Sequence, residues 1–318
     1  MLSVHIEQGQ VSLRQAPRPR PKPGFALIRL ILAGICNTDI ELLRGYYGFC
    51  GRPGHEFVGE VVGPEGSAWL GQRVVGEINL ACGACDWCAR GLGRHCGRRT
   101  VLGIVRHPGA FAEYLTLPET NLRAVPRAVP DEHAVFTEPI AAACEILDQV
   151  RIPKGAPVAV LGDGKLGLLV AQVLACHGAE VHLYGRHAEK LRIAAAAGCQ
   201  THRGGRLPRA RFDYTVEATG SAGGLAAAVS MSRPRGTVVM KSTVHGAVAL
   251  DAAPVVVNEI TLVGSRCGRF EPALRLLKTG RLHLSEMISA EYPLAAAPEA
   301  FARAQEKGVI KVLLRADG

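Results

Sequence analysis

Three groups of residues in this chain have the types and spacing to do chemistry. The first is four thiols: Cys82, Cys85 and Cys88 follow one another at two-residue gaps, and Cys96 comes after a gap of seven residues. Two-residue gaps let a tight turn aim neighbouring sulfurs at one centre, and four thiolates make the closed tetrahedral shell of structural zinc. An iron–sulfur cluster uses the same ligands. Asp86, Arg90 and Arg94 make the stretch too polar for a set of buried free cysteines. The second group is the turn Gly162-Asp163-Gly164-Lys165-Leu166-Gly167. Gly162 permits a tight turn, Gly164 lets backbone approach a pyrophosphate, and Gly167 permits close packing of the helix that follows. The third is dispersed: Cys36, His55 with Glu56 beside it, and Glu138. A thiolate, an imidazole and a carboxylate leave a fourth position open, as catalytic zinc requires. Cys144, in the apolar stretch after Glu138, is a rival third ligand, read more simply as a small buried hydrophobe.

Two kinds of scaffold must position these groups. Up to about residue 135 the chain alternates short β-like runs (25–32, 56–62, 72–78, 110–117) with Pro and Gly punctuation, and one short helix is expected over 38–43. From about 155 to 265, short apolar runs (158–161, 181–184, 213–217, 238–241, 260–263) alternate with helical stretches at 166–176 and 188–197. That alternation predicts a parallel sheet with helices on both faces. Helices are expected over 272–277 and 297–305, with a last strand at 310–314. The turn at 162–167 therefore sits between a strand and a helix, the context in which its glycines bind a dinucleotide.

Composition narrows the class. The chain has 318 residues, 48% hydrophobic and 20% charged, which fits two globular domains and excludes fibrous or disordered classes. No apolar run reaches the ~18 residues of a membrane span, and the opening residues read as a strand rather than a signal peptide. A cytoplasmic protein follows, with ten cysteines that point to metal rather than a disulfide framework. The net charge is +9. Its densest group, Arg203, Arg206, Arg209 and Arg211, has no aromatic interleaving and no recognisable module, so nucleic acid is not expected. A solvated loop, or an anionic small ligand, accounts for it.

With these motifs in place the chain resembles the zinc-dependent medium-chain alcohol dehydrogenases, in the branch of the sorbitol, threonine and glucose dehydrogenases. The resemblance runs over nearly the whole chain, through 34–39, 54–56, the four-cysteine lobe, 109–114, Glu138-Pro139, the glycine turn and Glu217-Ala218-Thr219-Gly220. It implies an α/β protein. A GroES-like, β-rich catalytic domain takes 1–139 and 269–318, with a structural zinc lobe at about 81–97. A Rossmann doubly wound parallel sheet takes 140–268, and the active site falls between the two. It implies catalytic zinc on Cys36, His55 and Glu138, Asp39 orienting His55, and Glu56 as a supporting group or exchangeable ligand. Thr38 would hydrogen-bond the substrate oxygen, and Thr219 and Gly220 would line the cofactor. Where many relatives carry a histidine relay, this chain has Glu41. The implied activity is hydride transfer between an alcohol or polyol and NADP, running as carbonyl reduction in reverse. Two other readings stay open: a zinc-containing NADP(H)-binding protein without turnover, and a zinc-free quinone-reductase-like oxidoreductase. Tyr46, Tyr47 and Phe49 are candidate pocket residues.

The cofactor choice is legible near residue 185. Dehydrogenases specific for NAD place an acid about twenty residues past the glycine turn, to bind the ribose hydroxyls. Here that place is Gly185, followed by Arg186, with Lys190 one helical turn on. Arg186 and Lys190 suit a 2′-phosphate, so NADP(H) is expected over NAD(H). The apolar run at 260–263 is expected to be an edge strand that pairs in a homodimer or homotetramer.

Overall fold

The computed structural model describes residues 1–243 and 248–316. The chain divides into two compact units. One comprises Met1–Glu138, Ala273–Lys278 and Ile288–Gly318, the other Pro139–Pro272 and Thr279–Met287. The sequence boundary at 268 falls short of this division.

The first unit is built on a seven-stranded sheet. Its main path runs Leu122–Ala124, Arg73–Gly76, Glu56–Gly63, Phe25–Ile35, Lys311–Arg315, Ile288–Pro293, and Tyr114–Pro118 pairs with Phe25–Ile35 as well. Phe25–Ile35 is the organising strand. Its residues Ala26, Leu27, Ile28, Leu30, Leu32, Ala33 and Ile35 are all buried, and it carries three antiparallel partners. A run so continuously apolar forms a strand covered on both faces. At its end the chain turns through Cys36 into the helix Asn37–Leu43. A separate hairpin pairs Leu2–Glu7 with Gln10–Gln15. A three-stranded sheet of Asn79–Leu80, Thr100–Leu102 and Arg106–His107 closes the base of the cysteine lobe, pairing Asn79 with Val101 and Leu80 with Thr100.

The second unit holds a six-stranded, all-parallel sheet. Its order is Gln200–Arg203, Glu180–Gly185, Pro157–Leu161, Phe212–Glu217, Ser232–Met240, Thr261–Gly264. This is the doubly wound order in which the first strand lies at the centre and the chain winds outward in both directions. Helices Lys165–His177, Ala188–Ala196 and Gly224–Met231 connect strands. A core of Ala159, Leu161, Tyr184, Phe212, Ala228, Val229, Met231, Val238 and Ile260 packs on one face. The strand expected at 260–263 is the sheet's edge, Thr261–Gly264. The edge strand Gln200–Arg203 was not expected: its residues are polar and lack apolar alternation. The run expected at 238–241 begins earlier, at Ser232, through Pro234 and Gly236, which read as turn residues in sequence. Among the described residues no helix is long and apolar enough to cross a membrane.

Candidate active site

The helix Asn37–Leu43 and the strand Glu56–Gly63 bring three potential metal donors together. One ligand atom from each of Cys36, His55 and Glu56 lies within 4.8 Å of the other two. Asp39 fixes this corner. It is fully buried, and its carboxylate accepts the Cys36 N–H at 2.8 Å and the Gly54 N–H at 3.1 Å. His55 Nδ1 stands 3.5 Å from Asp39 Oδ1, too long for a well-formed hydrogen bond. Burial alone would push the imidazole pKa down, but the Asp39 carboxylate and the Cys36 sulfur hold it well above its ordinary value. Thr38 is half-buried, its Oγ1 3.8 Å from Cys36 Sγ. Glu41 pairs instead with Arg44 at 3.0 Å, on a partly exposed surface. The Tyr46 and Tyr47 rings lie 4.1 Å apart, tilted by 43°, and Tyr47 is 71% exposed.

Lys311 was not anticipated. It opens the last strand, is 2% exposed, and its ammonium forms an ion pair with Glu56 Oε2. Burial works against its charge, and Glu56, with Cys36 beyond it, raises its pKa above the ordinary value. A lysine heading an apolar run reads as a surface residue, and only the full burial of Val312, Leu313 and Leu314 marks it as internal. The pair uses one Glu56 oxygen. The other, Oε1, is buried with no hydrogen-bond partner, as is His55 Nδ1. Buried polar atoms without partners are costly, and a cation among a sulfur, an imidazole and a carboxylate relieves that cost. The donor set fits zinc. Glu138 is the second residue of the helix Thr137–Gln149 and is not one of the three grouped donors. Cys144 is buried in the same helix and is not among them either.

The four-cysteine lobe forms a second donor set. Cys82, Cys85, Cys88 and Cys96 have sulfurs within 4.8 Å of one another. The separations are 3.9 Å for Cys82–Cys88, 3.5 Å for Cys85–Cys88 and 3.6 Å for Cys85–Cys96. Sulfurs about 2.3 Å from a common tetrahedral centre would lie about 3.8 Å apart. The thiols also perturb one another. The Ala84 N–H draws Cys82 down to about 6, whereas Cys85 is pushed up to about 11, burial and the neighbouring sulfurs outweighing the hydrogen bond from the Cys88 backbone. Thiols that cannot all ionise together are what a divalent cation resolves.

In the second unit the glycine turn joins Pro157–Leu161 to Lys165–His177. Gly162 has φ +107°, and a Cβ there would run into the Ala218 backbone. Gly164 caps the helix, and a Cβ on it would meet open space. The first turn, with Lys165 and Leu166, therefore lies beside an open face at a helix N-terminus, an arrangement suited to a pyrophosphate. At the end of the next strand, Gly185 faces Asp163. A Cβ on Gly185 would come within 2.6 Å of the Asp163 side chain. The Asp163 carboxylate accepts the N–H groups of Arg186 and His187, each at 2.7 Å, with His187 Nδ1 at 3.1 Å. Gly185 stands where NAD-specific dehydrogenases carry an acid, and the space beside it is taken by a carboxylate from the turn. Burial raises the Asp163 pKa, but these donors outweigh it and hold the group below the ordinary aspartate value. Arg186 is exposed, with no carboxylate partner among the described residues, and Lys190 is half-buried on Ala188–Ala196. Thr219 donates to Glu217 Oε1 at 2.6 Å, and the Gly220 N–H donates to Ser242 Oγ at 2.8 Å.

Residues 22–127 match the alcohol dehydrogenase GroES-like domain, and residues 166–279 match the zinc-binding dehydrogenase family. The D-altritol 5-dehydrogenase of Agrobacterium fabrum is 30% identical, with 91% of each chain covered. A zinc-binding dehydrogenase of Sinorhizobium meliloti 1021, solved bound to NADP, is 29% identical with a TM-score of 0.91, covering 99% of this chain and 98% of that one. A dehydrogenase of E. coli CFT073, solved with NADH, is 26% identical with a TM-score of 0.92, covering 99% of both chains. Two donor sets, a dinucleotide turn and relatives matched along nearly their whole length lead to one conclusion: the chain belongs to the zinc-type medium-chain alcohol dehydrogenase family and is an oxidoreductase of GroES-like plus Rossmann-like build.

Proposed function

We propose that the protein oxidises a hydroxyl of a polyol or a related secondary alcohol with NADP, and reduces the corresponding carbonyl in reverse. The carrying observation is the grouping of half-buried Cys36 with buried His55 and Glu56, with one polar atom of each of the latter two left without a partner. The polyol class is supported by the name of the Agrobacterium fabrum relative. In this reading Cys36, His55 and Glu138 hold the catalytic zinc, and Cys82, Cys85, Cys88 and Cys96 hold a structural one. Zinc supplies Lewis acidity toward the substrate oxygen. Asp39 keeps His55 and the Cys36 turn in place. The Thr38 hydroxyl positions the substrate oxygen and takes its proton, which leaves through Glu41 or water. In the second unit the N–H groups at 164–167 hold the pyrophosphate, Thr219 and Gly220 flank the cofactor, and the nicotinamide accepts the hydride. A screen of polyols, sugars and simple alcohols with both cofactors is expected to show its highest kcat/KM on a polyol. Tight NADPH binding without turnover across that panel would overturn the reading.

A second reading of the third ligand comes from the geometry, because Glu56 rather than Glu138 belongs to the grouped donors. Outer-shell changes cost 10–100-fold in metal affinity or activity, so Glu138→Ala, as a ligand change, is expected to cost at least about a hundredfold in turnover and to empty the catalytic site. Full zinc occupancy and activity in Glu138→Ala, with both lost in Glu56→Ala, would assign the ligand to Glu56.

We infer a homodimer or homotetramer as well. The edge strand Thr261–Gly264 pairs on one side only, and Val256 and Val257, just before it, are 74% and 79% exposed. Such an edge templates pairing with another chain. Light scattering at micromolar concentration is expected to give at least twice the 33.7 kDa chain mass; a single-chain mass would refute the oligomer. Four cysteines grouped as metal donors rather than as a disulfide framework support a cytoplasmic location.

A further inference from the structure

The parallel sheet of the second unit has one crossover without a helix. Gln200–Arg203 and Phe212–Glu217 are parallel strands separated in the sheet by Glu180–Gly185 and Pro157–Leu161. Parallel connections need a dozen or more residues and are usually helical. This one must cross three strand spacings, roughly 14 Å, and has only the eight residues 204–211, none of them helical. Eight residues can span the distance but cannot also cover the sheet. The face beneath them holds a cavity of about 380 Å³, lined by Tyr184, His202, Arg206, Leu207, Pro208, Arg209 and Arg211.

The floor of the cavity is a stack of rings. Tyr184 lies on His202 at 4.4 Å and 13°, and His202 lies on His182 at 5.3 Å and 10°. His182 Nδ1 and His202 Nε2 are 3.1 Å apart, and Phe212 closes the stack edge-on. This floor is rigid, because Tyr184 and Phe212 belong to the core beneath and Leu207 packs against the same core. The rim is cationic. Arg206, Arg209 and Arg211 are exposed, and none has a carboxylate partner among the described residues. Three guanidiniums without acids around a preformed concavity suit phosphate, which takes the planar fork of arginine with paired hydrogen bonds. The volume lies within the range of small-molecule sites.

We propose that this cavity is a second ligand site, separate from the glycine turn, that takes a phosphate-bearing small molecule on the arginine rim above the Tyr184–His202 stack. It accounts for the densest basic cluster of the chain, which neither the metal groups nor the dinucleotide turn uses. The probe is inorganic pyrophosphate, titrated calorimetrically at low salt into the enzyme carrying one equivalent of NADPH. The expected result is one pyrophosphate per chain. The triple variant Arg206→Ala, Arg209→Ala, Arg211→Ala is expected to weaken it at least tenfold with an unchanged melting temperature, and Arg186→Ala is expected to leave it intact. A histidine resonance that shifts on titration and is missing in His202→Gln places the anion over the stack. Absence of pyrophosphate binding in the wild type, or equal binding in the triple variant, overturns the proposal. So does a triple variant whose main change is in its mass by light scattering, which would assign the face to contacts between chains.

Discussion

Replacing His55 with alanine is expected to abolish turnover while the fold survives, and replacing Cys88 with alanine is expected to do the reverse in emphasis. His55 sits in a corner already fixed by the Asp39 bonds to the Cys36 and Gly54 N–H groups and by the Glu56–Lys311 pair. Its loss removes a donor without undoing the sheet, and losing several kcal/mol of charge stabilisation predicts a fall in kcat of about a thousandfold or more. The cysteine lobe has no such scaffold. Between Leu80 and Thr100 only Cys96 is buried, and Trp87, its largest apolar side chain, is 46% exposed. The lobe is tied at its base by the Asn79–Leu80 pairing and at its centre by sulfur alone. Metal binding there is folding energy, since such sites do not persist in an unfolded chain. Cys88→Ala is therefore expected to lower the melting temperature sharply, with the wild type approaching it after chelation. Elemental analysis should give two zincs per chain in the wild type and one in each variant. One metal per chain in the wild type, or iron, would refute the two-site assignment.

The legible parts of this chain were those in which periodicity and residue type say the same thing. The runs at 158–161 and 181–184 became parallel strands because each is short, buried throughout and bounded by turn residues, and Gly162 and Gly167 fell where backbone approaches backbone. Cys82, Cys85, Cys88 and Cys96 were legible because local spacing alone brings them together. What was hidden depended on partners distant in sequence. The pairing of Lys311 with Glu56 joins the last strand to the strand Glu56–Gly63, and no local pattern announces it. Gln200–Arg203 is a polar edge strand whose identity comes only from its neighbour Glu180–Gly185. Asp163 stands between two glycines and carries no sequence signal of its own. Its role appears only when the turn and the end of the next strand are seen side by side. No helix stands between Gln200–Arg203 and Phe212–Glu217, where the chain has only eight residues.

Arg186→Ala is expected to cost NADP about 1.5–3 kcal/mol of binding, the worth of a charge-assisted contact, and so about 10–150-fold in kcat/KM, with NAD changed little. The loop that carries Arg186 is held: its backbone N–H and that of His187 donate to Asp163, which leaves the guanidinium exposed and free of acids among the described residues. Lys190 adds a second cation on the helix that starts at Ala188. Asp163 pulls the other way. Its carboxylate lies against Gly185, where NAD-specific proteins carry their acid. Three donors converge on Oδ2 of that carboxylate and offset part of its charge, so NADP is expected to win in the wild type. Asp163→Asn, which removes the charge and keeps an acceptor, is expected to raise the NADP-to-NAD ratio further. The pH dependence fixes the sign independently. Because the carboxyl is held below its ordinary value, its anchoring of the loop is fully present above that value and is lost only as pH falls through the lowered one. The same titration removes the charge that opposes the phosphate, as Asp163→Asn does, so the NADP preference should stay flat from neutral to alkaline pH and rise only in acid. A wild type that prefers NAD would show that Asp163 replaces the missing ribose acid, and equal losses for both cofactors in Arg186→Ala would show that Arg186 does not touch the 2′-phosphate.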